Sequence, residues 1–438
     1  MHEYSKIGAS QCGILEGLIV PEVYREGEPY LKSMVAKMPD YQKIVLEDPS
    51  KNMQYHLAGY GSYNEEALIK LIGEGIERYA AIVSSKIVQD KIVYATYQEI
   101  SKQGKALPVE YLNVYSVEQQ EKISRMMPQF SSKWATENDV IGWIRCPSLM
   151  HPGEDIFTPA QLLFVGYKPN NKVGEKLFSP SFSTGTASYT NREKALANAL
   201  IEYVQIDAFI IRWYTGMKSK RVVIDNETVL SILDKCGYGK DSQYEIIPLD
   251  YTLPDIKVPV FGVFVKRKGR KIPYIAFGTQ GDLDPANGLM RGVMEASAVF
   301  SMSYNNVMRR PEAFAVNTNY SDLDSNVLYY ANNSDIEIKD KIISNFCDGK
   351  ENLSEIESKS NLSATSQVRY IVDQLRGISE YAVYMDFTPP EIADMGWNVM
   401  RVVIPEICGM CLPGFPFKNH VRLKKYGGVI NDIPHPLP

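Results

Sequence analysis

The sequence predicts an α+β protein in which mixed sheets pack against helices, with three similar units that each join a glycine-rich loop to a helix. Two observations carry this prediction. Glycine-rich stretches precede helical spacing of apolar residues three times, in residues 58–81, 181–209 and 277–300. The three align without gaps from a small residue, Ala67, Ala195 or Gly288, to a shared glutamate seven positions on. Apolar runs of alternating polarity between these stretches predict strands.

Composition places the chain among globular proteins. Its 438 residues are 45% hydrophobic and 23% charged, which is enough to bury a large core. We expect one domain over residues 1–438, built as one body or two lobes, with a variable insertion or surface lobe in the polar, Asn-rich stretch at about 301–350. The formal net charge of -5 gives no reason to expect a nucleic-acid partner.

Targeting and redox signals favour the cytoplasm. The apolar run at residues 13–20 is interrupted by Glu16 and follows no basic segment, so no signal peptide is predicted. No stretch approaches the ~20 apolar residues of a membrane helix. Six cysteines are too few in a chain of this length for a disulfide framework. We therefore expect a cytoplasmic protein without membrane insertion.

The other elements follow from local patterns along the chain. Before the second unit we predict strands at residues 12–20, 88–97, 140–144 and 159–165, and a helix within 103–128. Before the third we predict a helix and a hairpin that pairs residues 258–265 with 272–277. After it we predict a helix at 365–381, followed by a strand, a short helix and a strand over 382–404.

Each of the three unit helices carries a signal for its start. Ser62 with Glu65, and Thr190 with Glu193, match capping boxes. In the third unit, Asp284 followed by proline predicts an N-cap and a first-turn proline. Behind these signals, apolar residues recur at helical spacing and predict one buried face for each helix.

A glutamate occupies the same position in all three helices, at Glu74, Glu202 and Glu295. Polar residues also lie four positions before each glutamate and, in two helices, three positions after it; these are Lys70, Asn198, Arg291, Glu77 and Gln205. This spacing puts them on the glutamate face. Carboxylates beside an apolar stripe are costly to bury alone, and magnesium-bound phosphate pairs with one or two of them. The pattern predicts a nucleotide site, although a solvated charged face explains any one helix.

The last five residues, 434–438, form the motif P-x-P-x-P. Proline fixes φ, so the motif predicts a stiff polyproline II rod. Such a rod can position its carboxylate accurately. A frayed proline-rich end is the alternative.

These stretches resemble the YcaO superfamily. GEGIERYAA at 73–81 is similar to the family's first helix, whose pattern is a serine, a glutamate four positions on, and Glu-Arg after two more residues. STGTA at 183–187, GDLDP at 281–285 and residues 382–404 resemble its later blocks. The similarity runs from about residue 13 to 438. It is greatest to the stand-alone cyclodehydratases (D proteins, SagD-like) that mature thiazole- and oxazole-modified peptides such as bacteriocins and cytolysins.

The resemblance implies that ATP and Mg²⁺ bind on the three helices. The implied nucleotide-binding residues are Lys70, Glu74, Glu77, Arg78, Asn198, Glu202, Gln205, Arg291 and Glu295, and the implied magnesium ligands are Glu74, Glu77, Glu193 and Glu202. Three positions depart from the family pattern. Lys70 replaces a serine, Lys194 beside Glu193 replaces a glutamate, and Gln205 with Ile206 replaces Glu-Arg. Which residues bind magnesium at these positions is therefore left undecided by the sequence.

The implied reaction forms an azoline ring. A Cys, Ser or Thr side chain of a peptide adds to the preceding backbone carbonyl, and ATP phosphorylates the hemiorthoamide oxygen so that it leaves as phosphate. In the family, the P-x-P-x-P tail distinguishes azoline-forming members. Its prolines, Pro434 and Pro436, would stiffen the tail, and the Pro438 carboxylate is the implied base.

The resemblance also implies partners. They are a precursor peptide, a separate E1-like, leader-binding C protein and a flavin-dependent dehydrogenase that acts afterwards, and we expect a homodimer within this larger complex. Two other functions remain open: ATP-dependent peptide thioamidation, which normally lacks the tail motif, and a non-catalytic docking scaffold, which Lys70, Lys194 and Ile206 motivate. Nothing in the chain identifies the precursor or the ring type.

Overall fold

The structure is a computed structural model that describes residues 7–8, 13–19, 29–45, 47, 57–309 and 319–438. Its strands are β1 (Gly17–Ile19), β2 (Lys32–Lys37), β3 (Leu57–Gly61), β4 (Val93–Ala95), β5 (Ile141–Pro147), β6 (Asp155–Pro159), β7 (Thr186–Tyr189), β8 (Ser219–Val223), β9 (Tyr244–Asp250), β10 (Val260–Arg267), β11 (Ile275–Gly281), β12 (Cys347–Asn352), β13 (Val383–Asp386) and β14 (Asn398–Val403).

The α-helices alternate with these strands along the chain. They are α1 (Tyr41–Ile44), α2 (Asn64–Ile87), α3 (Tyr97–Ile100), α4 (Val117–Met126), α5 (Ala160–Leu163), α6 (Arg192–Thr215), α7 (Glu227–Leu233), α8 (Pro285–Arg309), α9 (Ser325–Ala331), α10 (Ile336–Phe346), α11 (Ala364–Leu375), α12 (Pro390–Ala393) and α13 (Val421–Lys425).

Helices pack against separate small sheets, which makes the protein α+β as the sequence predicts. Three-stranded sheets have the orders β1-β2-β3, β4-β5-β6 and β13-β14-β7, and a five-stranded sheet has the order β11-β10-β9-β8-β12. The last sheet is mixed, since β12 runs parallel to β8 while β9, β10 and β11 pair antiparallel. The hairpin predicted across residues 258–277 is confirmed as β10 and β11.

The three predicted units are adjacent in space and form a closed ring. Each consists of a strand and the helix that follows it: β3 with α2, β7 with α6, and β11 with α8. Helix α2 packs on its own β3 and on β7, α6 packs on β7 and on β11, and α8 packs on β11 and on β3. Each helix therefore joins its own strand to the strand of the next unit. The glutamate faces lie around the centre of this ring.

Glycines in the first and third strands permit close packing between strand and helix. A Cβ on Gly59 would lie 1.8 Å from the Ala67 carbonyl oxygen, and one on Gly278 would lie 2.5 Å from the Gly292 carbonyl oxygen. Both contacts are with helix backbone, which cannot move aside as a side chain can. The glycine-rich approach thus brings each helix onto its strand.

Two of the three predicted helix starts are wrong by one residue each. Helix α2 begins after Tyr63, whose side chain makes no capping bond, because Glu66 rather than Glu65 reaches back and accepts from the Ser62 N–H at 2.8 Å. Helix α6 begins after Asn191, whose Oδ1 accepts from the Lys194 N–H at 2.8 Å. Asn is as good an N-cap as Thr. The third start, at Pro285 after Asp284, is confirmed.

In two predicted strands, part of the segment is helical in the structure. Residues 159–165 do not continue a strand, because β6 ends at Pro159 and the chain turns directly into α5, as expected for a residue that has no N–H to donate. Within residues 88–97 only β4 is extended, and Tyr97 begins α3 after a capping box at Thr96. At the N-terminus the predicted strand is reduced to β1, and Cys12 and Val20 lie outside the described residues.

Residues 325–352, within the segment expected to form an insertion or surface lobe, pack into the protein. Asn326, Tyr330, Lys339 and Phe346 are buried, and β12 joins the five-stranded sheet. The polar composition of the segment is compatible with burial, because the buried polar side chains are hydrogen-bonded; Lys339 Nζ, for example, donates to the Asn332 carbonyl at 2.9 Å. No helix within the described ranges has the length and apolar character needed to cross a membrane.

Candidate active site

Each of the three aligned glutamates accepts a hydrogen bond from the main chain leading into its own helix. The Ala58 N–H donates to Glu74 Oε2 at 2.9 Å, and the Thr279 N–H donates to Glu295 Oε2 at 2.7 Å. The Gly185 N–H donates to Glu202 in the same way. The main chain thus orients all three carboxylates, which explains the shared position of these glutamates.

The three helix faces converge, because the carboxylates of Glu74, Glu77, Glu202 and Glu295 affect one another. Burial, followed by repulsion from Glu202, raises the pKa of Glu77 to about 8. Burial raises the pKa of Glu202 to about 7, with a smaller contribution from Glu74. Burial also raises the pKa of Glu295 to about 7, with repulsion from Glu202 and Glu74. We call these four residues the glutamate cluster.

The positions three residues after the aligned glutamates close the ring of units. The Ser188 N–H of β7 donates to Glu77 Oε1 at 2.9 Å, and the Gly281 N–H of β11 donates to Gln205 Oε1 at 2.9 Å. Gln205 Nε2 also donates to the Thr279 carbonyl at 2.9 Å. Both ends of the Gln205 amide are therefore used by β11. In the third helix this position is Ala298, which cannot accept a hydrogen bond.

Cationic side chains surround the cluster on two sides. Arg78 Nη2 is 3.3 Å from Glu74 Oε1, and its charge also lowers the pKa values of Glu77 and Glu202. Arg291 lies beside Glu295, whose pKa it lowers, and its Nη1 is 3.7 Å from Asp282 Oδ2. An ion between these two arginines would meet positive charge on both sides.

The two lysines that depart from the family pattern lie near Arg291. Lys70 Nζ donates to Glu66 Oε1 at 2.6 Å, and Lys194 Nζ donates to Gln367 Oε1 at 2.9 Å. Burial lowers the pKa of each lysine, and the charge of Arg291 lowers both further. These lysines therefore extend the cationic side of the cluster, where phosphate groups could bind.

Sequence reasoning missed two residues at the cluster. Arg401 on β14 is buried and its charge lowers the pKa of Glu202, while burial lowers the pKa of Arg401 itself to about 10. Tyr60 on β3 lies among Glu295, Arg291 and Glu74, and burial raises the pKa of its hydroxyl well above the ordinary value. A buried Arg in an otherwise apolar strand is a signal in the sequence that could have identified Arg401.

Two residues predicted to belong to the site lie on α6 before Glu202. Glu193 is exposed in the first turn of α6, nine residues before Glu202 and so roughly 13 Å away along the helix axis. Asn198 is half-buried one turn before Glu202. A magnesium ligand at Glu193 would need a large movement of the helix start, so the geometry favours the other glutamates.

The glutamate cluster does not form a protein-only metal cage. Among the residues that the structure describes, no three His, Cys, Asp or Glu side chains lie close enough to hold one ion. Mg²⁺ is usually held by one or two carboxylates, with phosphate oxygens and waters completing its octahedral shell. Like-charged carboxylates with raised pKa values and flanking arginines fit a magnesium–nucleotide complex better than a bare ion.

The P-x-P-x-P tail is anchored in the core. Asn326 Nδ2 donates to the carbonyls of His435 and Leu437, at 2.8 Å each, and the Tyr330 hydroxyl donates to the Pro434 carbonyl at 2.7 Å. His435 is fully buried, and its Nε2 lies 2.9 Å from the Cys411 carbonyl oxygen. We call Asn326 and Tyr330 the tail clamp. Neither was predicted as functional, because their segment was interpreted as an insertion.

The tail packs against the C-terminal part of α6. The Asn431 N–H donates to the Tyr214 carbonyl near the end of the helix. The His435 ring packs on both Tyr214 and Phe209. Phe209 lies seven residues after Glu202, which is roughly 10 Å along the helix axis. The tail is thus held on the same helix that carries Glu202.

Comparisons with known proteins agree with this architecture. Residues 58–408 match the family described as YcaO cyclodehydratase, ATP- and Mg²⁺-binding. Curated protein sequences give no match. Among solved structures, a heterocyclase in complex with substrate and cofactor aligns with a TM-score of 0.72 at 15% identity, covering 99% of this chain and 56% of its own length.

Two further structures align over most of both chains. YcaO from Methanopyrus kandleri, bound with AMPPCP and Mg²⁺, has a TM-score of 0.60 at 15% identity and covers 99% of this chain and 93% of its own. A chain of the E. coli microcin synthetase McbBCD complex has a TM-score of 0.64 at 14% identity and covers 96% of each. Since the family match covers most of the sequence, this chain belongs to the YcaO cyclodehydratase family, whose members bind ATP and Mg²⁺.

Proposed function

We propose that the chain is the cyclodehydratase subunit that converts Cys, Ser or Thr residues of a ribosomally made peptide to thiazolines or oxazolines, using ATP. The observation that carries the proposal is the convergence of Glu74, Glu77, Glu202 and Glu295 at the centre of the ring of units. The family description supports the ligand, because it names ATP and Mg²⁺.

The glutamate cluster would hold magnesium and the arginines would hold phosphate. The four glutamates supply carboxylate oxygens, and burial disfavours the charged form of Glu77, Glu202 and Glu295, so a dication would relieve the repulsion within the cluster. Arg78 and Arg291, with Lys70 and Lys194 behind them, would neutralise phosphate oxygens. When bound, ATP supplies the phosphoryl group that turns the hemiorthoamide oxygen into a leaving group. Gln205 has a positioning role, since β11 uses its amide fully.

The tail would supply the base. Proton transfer needs the base within hydrogen-bond reach of its target, and the tail clamp restricts the freedom of residues 434–437. The Pro438 carboxylate, at the end of this anchored segment, is our candidate for the group that deprotonates the attacking side chain or the ring nitrogen. Pro434 and Pro436 would limit the motion of the tail between the clamp and its end.

We further propose that the chain works with partners. The McbBCD structure is a complex of several proteins, and the chain spans about half of the heterocyclase to which it is similar. A separate E1-like, leader-binding protein would present the precursor peptide, and a flavin-dependent dehydrogenase would oxidise the rings. We place this assembly, with a homodimer of the chain, in the cytoplasm, where ATP is available and where the free cysteines Cys146, Cys236, Cys347, Cys408 and Cys411 would stay reduced.

The proposal is tested by combining the chain, a precursor peptide, the leader-binding partner, ATP and Mg²⁺, and following peptide mass and phosphate release. Loss of one water for each phosphate released is the expected result. Phosphate release without loss of water would contradict azoline formation. A mass change that requires sulfide would indicate thioamidation, and a complete system without phosphate release would indicate a docking scaffold.

A further inference from the structure

A narrow cavity lies beside the glutamate cluster. It encloses about 510 Å³, including the part open to solvent. Its walls come from residues 179–184 before β7, from the end of β14 and from the segment 405–410 that follows it. Aromatic rings from Tyr111, Phe182, Tyr203 and Phe417 face it, and Gly409 forms part of its wall.

The inner wall of the cavity is shared with the cluster. Tyr203 follows Glu202 on α6, and Thr184 precedes Gly185, whose N–H donates to Glu202. Arg401 belongs to both sites, since it lines the cavity and its charge acts on Glu202. Arg401 thus connects the cavity with the carboxylate proposed to hold magnesium.

The outer part of the same wall approaches the tail. Met410 lines the cavity, and the next residue, Cys411, contacts His435 of the tail through its carbonyl oxygen at 2.9 Å. Along the chain, the wall of the cavity therefore adjoins residues of both parts of the proposed machinery, the cluster and the anchored tail. A peptide that reacts with ATP at the cluster and loses a proton to the tail needs a site in this region.

The lining chemistry favours an uncharged ligand. Most lining residues are apolar or aromatic, and none of those described is acidic. The charged one, Arg401, donates from Nη1 to the Thr184 carbonyl at 2.6 Å and from Nη2 to the Leu162 carbonyl at 3.0 Å. These bonds hold the cation in the wall, where it would repel a second cation. Aromatic walls with few polar groups are typical of sites for apolar ligands.

We propose that this cavity binds the residue flanking the reacting Cys, Ser or Thr of the peptide substrate, and that it accepts an uncharged, preferably aromatic, side chain and excludes Lys and Arg. The proposal rests on the proposed function for the identity of the ligand as a peptide. It assigns the substrate preference to the walls of this cavity, and in particular to Gly409, Phe182 and Arg401.

Gly409 offers a matched pair of variants. A Cβ at this position would lie 3.6 Å from the Tyr203 hydroxyl oxygen, an ordinary contact, so Gly409→Ala should leave the cavity open. Gly409→Leu should fill it. The probes are the tetrapeptides acetyl-Gly-Phe-Cys-Gly-amide and acetyl-Gly-Lys-Cys-Gly-amide, added to the full chain with AMPPCP and Mg²⁺, and binding is measured by saturation-transfer NMR. Because AMPPCP is not hydrolysed, the measurement does not depend on turnover.

We expect the Phe peptide to bind both the wild-type chain and Gly409→Ala. It should bind Gly409→Leu about tenfold more weakly or not at all. The Lys peptide should bind none of the three proteins well. Phe182→Ala, which removes one aromatic wall without adding volume, should also weaken the Phe peptide. Equal binding of the Phe peptide to Gly409→Leu and Phe182→Ala, or of both peptides to wild type, would overturn the proposal. AMPPCP affinity, measured in the same samples by calorimetry, shows whether a variant is folded. Failure of the nucleotide to bind the wild type would instead contradict the proposed function.

Discussion

Burial and mutual repulsion raise the pKa values of three glutamates in the cluster, Glu77, Glu202 and Glu295. Their surroundings therefore disfavour the charged form of the carboxylate. Hydrogen bonds from the main chain to these carboxylates only partly offset the cost of burial. Residues arranged in this way are more typical of a binding site than of a structural core. The arrangement gives three predictions at the residue scale.

The first prediction concerns charge removal in the cluster. Glu74→Gln and Glu202→Gln should each abolish magnesium-dependent AMPPCP binding and ATP use, because each removes a carboxylate available to magnesium. The fold should persist, since glutamine can still accept the hydrogen bond from the strand N–H. For Glu202→Gln the melting temperature should stay level or rise, because one buried charge is lost. Calorimetry and thermal unfolding measure the two effects.

Glu193→Gln is the matched control, because this exposed glutamate on the same helix lies away from the cluster. It should bind AMPPCP like wild type. If Glu193→Gln lost binding and Glu202→Gln kept it, the assignment of the magnesium ligands would have to be reversed.

The second prediction is release of protons on nucleotide binding. With pKa values of about 8 for Glu77 and about 7 for Glu202 and Glu295, these groups are partly protonated at pH 7. Mg²⁺ binds the ionised form, so binding at pH 7 should release protons. Calorimetry in two buffers of different ionisation enthalpy measures the number of protons released. Identical heats in both buffers would contradict the raised pKa values of these glutamates.

The same pKa shifts fix the sign of the pH dependence of stability. A folded-state pKa above the ordinary value near 4.5 means that the folded protein binds protons more tightly than the unfolded chain. The stability from these groups is therefore full below pH 4.5 and is lost as the pH rises through 7 to 8. The ligand-free protein should melt at a lower temperature at pH 8.5 than at pH 6, and Mg²⁺ with AMPPCP should reduce the difference.

At the scale of elements, the ring of units depends on residues that link one helix to the next strand. Glu77 makes this link from α2 to β7, and Gln205 makes it from α6 to β11. The residue three positions after the aligned glutamate therefore has two roles. It joins neighbouring units, and where it is acidic it also adds negative charge to the cluster. The replacement of the family's glutamate by Gln205 keeps the first role and gives up the second.

Gln205→Ala should destabilise the protein by roughly 2 kcal/mol or more, because it leaves the buried Gly281 N–H and Thr279 carbonyl without a partner, at ~1–3 kcal/mol for each unsatisfied group. Urea unfolding measures the change, with the exposed Glu193→Ala on the same helix as the control. A Gln205→Ala variant as stable as this control would show that water or a neighbouring group replaces the amide.

At the scale of the whole molecule, the tail connects parts of the chain that are far apart in sequence. The tail clamp on α9 and the Cys411 carbonyl hold residues 434–437 against α6. Contacts between residues far apart in sequence thus fix the position of the tail.

Loosening the clamp should impair chemistry and leave nucleotide binding unchanged. Tyr330→Phe removes only the hydroxyl that donates to the Pro434 carbonyl, and Asn326→Asp replaces two donated bonds with repulsion toward the His435 and Leu437 carbonyls. We expect ring formation to fall in both, more in Asn326→Asp, while AMPPCP affinity stays at the wild-type value. Full ring formation by Asn326→Asp would show that the clamp is only structural.

Adding one or two residues after Pro438 tests the proposed base directly. Each residue would displace the carboxylate by ~3.1 Å along a polyproline II rod, beyond the reach of proton transfer. Ring formation in the complete system should collapse and AMPPCP binding should persist. An extended chain that forms rings at the normal rate would require another base.

The sequence by itself determined the α+β class, the three units that each join a glycine-rich stretch to a helix, and the register of their glutamates; that the stretches before the first two helices form the strands β3 and β7 came only from the structure. These features depend on local signals: apolar spacing, glycine before each helix, and the proline after Asp284. The exact helix starts were less well determined, because Ser62, Tyr63, Thr190 and Asn191 offer competing caps within two residues, and the hydrogen bonds actually formed decide between them.

Only the tertiary structure decided how the units meet. Periodicity shows that Glu74, Glu202 and Glu295 share a face of their own helices, but their convergence requires each helix to pack on the next unit's strand. The same is true of Arg401, Tyr60 and Asn326, whose roles come from partners distant in sequence. The physical reason is that a helix or strand pattern is set by neighbours a few residues away, whereas a site is set by contacts between elements, which no local pattern encodes.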